Sequence, residues 1–155
     1  GDIVKAAADA SGAELNPAQI VDLFNEEYIT FAGKYKLLKH RFLEEHEEDE
    51  NHSTRLEGIV SVDGEEKAVT GIGNGPIDAF FQALAGIGVV GYEFISYQEH
   101  AISKGSDAKA ISYIELKVPG NGHIFGVGIH SNINVASLLG IICAINRSLS
   151  HKKAE

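Results

Sequence analysis

A single cysteine in 155 residues leaves no partner for an internal disulfide, which sets this chain apart from small cross-linked domains of oxidising compartments. That residue, Cys143, stands in the apolar run Ile141 to Ile145. No cation adjoins it to activate the thiol, so it reads as packing in a reducing, cytoplasmic setting. Basic charge is scarce too: 13 Lys and Arg against 22 Asp and Glu give a formal charge of −9. Nucleic acid and anionic membranes, which need basic surfaces to displace counterions, are therefore disfavoured as partners. Long hydrophobic runs are missing: the longest, VASLLGIICAI, falls short of the roughly 20 residues that span a bilayer. No signal-peptide pattern opens the chain. The first residues, GDIVKAAADA, lack an initiator methionine and start inside a helical pattern, so the chain reads as a fragment. What is present is ordinary, with 44% hydrophobic and 23% charged residues, as in a globular domain with a buried core.

Asn16 and Pro17 suit the cap and first turn of a helix whose apolar residues Ile20, Leu23, Phe24 and Tyr28 recur three and four apart. In YKLLKHRFLEE, Leu38, His40 and Phe42 share a side if the segment is extended, and a strand is expected, with a short helix as the competing reading. The acidic run EEHEEDENH reads as a solvated linker. His46 and His52 within it raise a metal question, but their spacing fits neither a zinc helix nor a calcium loop.

From Thr54 the pattern sharpens. TRLEGIVSV alternates with Leu56, Gly58, Val60 and Val62 on one face, Asp63-Gly64 supplies a primed hairpin turn, and EEKAVTG returns. A glycine stretch, GIGNG, leads to a helix with Ile77, Phe80, Phe81 and Leu84 inward. Three more strands follow, YEFISYQEH, AISYIELKV and HIFGVGI, and a second helix with Val135, Leu138, Leu139 and Ile142 inward. Ser131 or Asn132 can cap that helix. The expected fold is α+β: two βββα units with an internal pseudo-two-fold repeat, antiparallel sheets packed on two helices, plus a short N-terminal helical segment.

Glycines between a strand and a helix suggest an anion site, since a helix N-terminus offers free N–H groups and partial positive charge. Against a nucleotide stand the hairpin entry, the lack of a following lysine, and Asp78 in the first helical turn. A smaller anion such as an amino-acid carboxylate asks less of the turn. The competing reading is that the glycines only let strand and helix pack closely.

GxGNGPIDAFFQAL, YxEHAISKGSDAKAxSYIEL and IFGVGIHSNINVASLLGIICAINR together resemble the C-terminal regulatory domain of 2-isopropylmalate synthase, an acyltransferase of leucine biosynthesis. The resemblance is strong over residues 50 to 150. It implies that residues 1–48 hold the end of a helical linker subdomain and the first strand, and that 49–155 form a dimeric regulatory domain binding leucine near the dimer interface for feedback inhibition. Carried over by position, the effector site comprises Gly73, Gly75, Ile77 and Asp78, then Phe94, Tyr97, Ala101 and Ala108, and Ile133. Phe94 is bulkier than the residue expected at its place, and Asp78 stands where some members have alanine. In physical terms, Gly73 and Gly75 would leave backbone N–H groups to a carboxylate, Ile77, Ile133, Ala101 and Ala108 would make an apolar socket, and Tyr97 would order the ligand.

The implied parent uses acetyl-CoA, 2-oxoisovalerate and a divalent metal, with no cofactor in this stretch. No His-x-His pair occurs, and 155 residues are too few for a (β/α)₈ barrel of roughly 250. The fragment is therefore expected to be catalytically silent and to have three partners: a second copy, the effector and the parent's barrel. Glu99 and His100 invite an acid and base reading, but neighbours on a strand face opposite ways. Three alternatives stand beside the leucine reading: the isoleucine-sensing domain of citramalate synthase, a structural dimerisation module without ligand, and a small enzyme working at Tyr97 to His100.

Overall fold

The computed structural model describes residues 33–46, 52–102, 108–120 and 122–154. The helix expected over residues 16–28 and most of the acidic run lie outside them. So do the side chains of His46 and His52, and with them the metal question. The described residues form two compact units, Gly33–Tyr92 and the residues from Glu93 onward. Each is a three-stranded antiparallel sheet followed by a helix, as the strand and helix order predicts.

In the first unit β1 (Tyr35–His46), β2 (His52–Val62) and β3 (Glu65–Gly73) pair in chain order, and α1 (Pro76–Ala85) packs on β2 and β3. The expected primed turn is present: Asp63 and Gly64 take φ of 51° and 87°, a pair of left-handed residues that follows the twist of the flanking strands. Alternation along β2 buries Leu56 and Val60 completely, and each such side chain contributes roughly 1.5 to 3 kcal/mol by leaving water. Both lie on the side of the sheet that receives α1.

The expected inner face of α1 needs correction. Phe80 and Leu84 are buried as expected, but Ala79 and Ala83 are buried with them, while Ile77 and Phe81 are only half-buried. The cause is Gly71. A β-carbon there would overlap the carbonyl of Ala79 and the amide of Ala83 and come within 2.9 Å of the Ala83 Cα. The helix approaches so closely that small residues form its line of contact. The glycine stretch is accordingly not all loop, because Gly71 and Gly73 belong to β3.

The second unit repeats the plan with β4 (Glu93–Ala101), β5 (Ala110–Lys117), β6 (His123–His130) and α2 (Ile133–Ala154), the helix packing on β5 and β6. Gly128 holds the place of Gly71: its missing β-carbon would overlap the Ala136 carbonyl and lie 2.6 Å from the Gly140 amide. Here too the expected face shifts. Leu138 and Ile142 are buried, Val135 and Leu139 half-buried, and Ala136 and Ala144 are buried with them. Ile133–Ser150 has the length and apolarity of a membrane span, but 56% of it is buried, and its small residues meet the sheet as in a core helix.

The repeat extends to an irregularity. The register of β1 on β2 slips between Leu37 and Lys39, and that of β4 on β5 between Phe94 and Ser96, so Leu38 and Ile95 are inserted residues at equivalent places.

Asn132 caps α2 as expected. Its Oδ1 accepts from the amides of Asn134 at 2.8 Å and Val135 at 3.3 Å, and its own amide donates to His130 Nδ1 at 2.9 Å. Asn132→Ala should cost about 1 kcal/mol in a urea melt. An unchanged midpoint would show that this cap carries no weight.

Candidate functional site

Four of the expected site residues fall on one turn of the first unit. Gly73 ends β3, Gly75 precedes α1, Pro76 takes the first helical position, and Ile77 and Asp78 complete the first turn. No side chain caps this helix. The Asn74 amide donates instead to Asp78 Oδ2 at 2.9 Å, a carboxylate reaching back to a preceding N–H as in a capping box. A β-carbon on Gly73 would overlap that carboxylate and sit 2.6 Å from the Ala79 amide. Gly73 is thus bare because its own turn needs the room. Gly75 differs: its φ of −178° is extended backbone open to any residue, and nothing lies within 4 Å of a β-carbon placed there.

The other five lie in the second unit. Ala101 pairs with Ala110, and Ala110 with His130, so Ala101, Ala108 and Ile133, the first residue of α2, gather at one end of that sheet. The Ile102 amide donates to the Lys109 carbonyl at 3.0 Å and continues the ladder there. Phe94 and Tyr97 are three apart and would face opposite ways on a regular strand. The inserted Ile95 puts them on one face, with ring centroids 5.9 Å apart. Tyr97 pairs with Ile114, which is fully buried and would meet a side chain on Gly140 of α2 at 2.7 Å, so this is the face that α2 covers further across the sheet. Over β4 itself Tyr97 remains 47% exposed.

The acid and base reading of Glu99 and His100 finds no common face. Glu99 pairs with Ser112, whose buried hydroxyl shares a 3.0 Å hydrogen bond with Ser137 of α2. His100 lies on the other side, edge-on to Tyr113 with ring centroids 5.7 Å apart. Burial pushes the Tyr113 phenol up to about 12, so it stays protonated near neutrality. Cys143 is half-buried and its thiol is pushed up by burial, against the pull of Arg147, which suits packing and not nucleophilic chemistry. Among the described residues, no three His, Cys, Asp or Glu side chains are grouped to hold a metal ion.

The sequence reading missed two features: the Asn74 to Asp78 hydrogen bond and the inserted residue in β4. The first had a signal in the Asp at the third helical position. The second had one in Phe94 and Tyr97, two aromatic residues at an odd spacing on a strand.

The candidate residues, on a turn of the first unit and on a strand face and a helix start of the second, belong to a tandem βββα module. The chain belongs to the LeuA allosteric (dimerisation) domain family, whose model matches residues 14–149. Its relatives include the 2-isopropylmalate synthases of Clostridium acetobutylicum, 38% identical over 96% of this chain and 26% of the relative, and of Thermobifida fusca, 40% identical over 94% and 24%. That of Pseudomonas syringae pv. tomato is 37% identical over 99% and 26%. The chain spans about a quarter of the length of the relatives it matches.

Proposed function

We propose that this chain is the regulatory domain of a cytoplasmic 2-isopropylmalate synthase, that it works as a homodimer, and that it binds leucine for feedback inhibition. The observation that carries the reading is the match to an allosteric, dimerising domain family over residues 14–149. The relatives' names supply the parent reaction. In the second unit, half-buried Phe94 with exposed Tyr97 and Ala101 offers apolar surface suited to an amino-acid side chain, and in the first unit the unfilled space at Gly75 leaves backbone open to a carboxylate.

Condensation of acetyl-CoA with 2-oxoisovalerate and its divalent metal belong, on this reading, to the rest of the parent chain. The domain acts by holding leucine better in one conformational state than in another. A differential of about 1 to 3 kcal/mol shifts the balance between the states roughly five- to 150-fold. Burying an isobutyl group contributes roughly 1.5 to 3 kcal/mol, and one methyl group about 1, so selectivity among branched side chains rests on shape and is modest.

A thermal melt of the 155-residue chain with leucine, isoleucine or valine tests this. Leucine at about 100 times its dissociation constant should add about 2.7 kcal/mol, several degrees in melting temperature. A rise with isoleucine alone would move the assignment to an isoleucine sensor. No rise with any of them, together with a dimer by sedimentation, would leave dimerisation as the domain's role.

A further inference from the structure

We propose that Glu99 is the counter-ion for the α-ammonium group of the effector, an inference that rests on the amino-acid-binding reading above. An amino acid is a zwitterion, so a site that takes its carboxylate and its side chain still needs an acceptor for three N–H groups. In the second unit Glu99 meets that need by position. The inserted residue Ile95 sets Phe94, Tyr97, Glu99 and Ala101 on a single face of β4, where Glu99 stands between the aromatic pair and the alanine that closes the strand. Two residues along a strand rise about 7 Å, roughly the reach from the apolar body of an amino acid to its charged end.

Glu99 is also uncommitted. Among the described residues its carboxylate takes part in no hydrogen bond or ion pair, in contrast to Asp78, which holds the Asn74 amide, and Glu115, which holds Ser96 and His123. Its cross-strand neighbour Ser112 is tied to Ser137. His100, the adjacent titratable group, faces Tyr113 on the other side of the sheet. Among the described residues, Glu99 is thus an exposed carboxylate without a partner beside Tyr97 and Ala101, available to a ligand's cation.

The test compares two probes of one carbon skeleton, leucine and isocaproate, which lacks the amino group. Calorimetric titrations would use the 155-residue chain and its Glu99→Gln, Glu99→Asp and His100→Gln variants. Glu99→Gln should weaken leucine about tenfold, the scale of one lost charge-assisted hydrogen bond, and leave isocaproate within about twofold. Glu99→Asp should recover part of the loss, and His100→Gln should change neither probe. Glu99 is exposed, so the ligand-free melting temperature should match the parent's in every variant. Equal losses for both probes in Glu99→Gln, or no loss for leucine, would overturn the assignment while leaving the effector reading standing. Failure of the unaltered chain to bind leucine at all would remove the effector reading, and this one with it.

Discussion

Gly128→Ala is expected to lower the stability of the chain by on the order of 3 kcal/mol or more, the upper end for a single added methyl group. The new β-carbon would meet the Ala136 carbonyl and the Gly140 amide, both backbone, so no side chain can swing aside. Relief requires lifting α2 off β5 and β6, which exposes Leu138, Ile141 and Ile145. Gly75→Ala is the control. Nothing lies within 4 Å of a β-carbon there, and the extended backbone suits any residue. Its urea midpoint should match the parent's, and on the proposed function its leucine response should be lost. A Gly128→Ala protein melting within about 1 kcal/mol of the parent would contradict the close approach of helix and sheet.

Phe80→Ala should cost about 3 to 5 kcal/mol, the range for emptying a fully buried aromatic site. The Phe80 ring is wholly inaccessible, whereas the adjacent Phe81 is half-buried. Phe81→Ala should therefore cost markedly less, and Ala83→Leu, which the sequence pattern alone places off the inner face, should be strongly destabilising through overpacking. Denaturant titrations of the three variants rank the helix positions. Equal costs for Phe80 and Phe81 would restore the helix rotation expected from periodicity and contradict the one set by Gly71.

Much of the architecture was legible because it follows from rules local in sequence. Alternation marked β2, Asp63-Gly64 marked its hairpin, and the pair Ser131 and Asn132 marked the start of α2, where Asn132 is the one that caps. The repeat of three strands and a helix was readable from element order alone. The rotation of both helices was not, since it depends on which glycine of a strand faces the helix, and that needs register. Gly71 and Gly128 do so, while Gly75, in the same motif, meets nothing. At the candidate site, the sequence marked the turn and the strand. It did not show that the Asn74 amide is already taken by Asp78, or that Phe94 shares a face with Tyr97.

The inserted residues Leu38 and Ile95 bear on how this chain tolerates changes of length. A strand has a parity: odd and even positions belong to opposite sides, and one extra residue exchanges the two for everything beyond it. Both repeats carry such an exchange at the same point of their first strand. The odd-spaced pairs Leu37 with His40 and Phe94 with Tyr97 are its visible trace. Removing Ile95 would close the bulge: Phe94 and Ser96 would become neighbours opposite Leu116 and Glu115, and Tyr97, Glu99 and Ala101 would keep the helix side. The same loss inside the paired run Ser96 to Ala101 would instead exchange the two sides for the residues beyond it. The bulge is thus the point at which this strand can lose a residue and keep its faces.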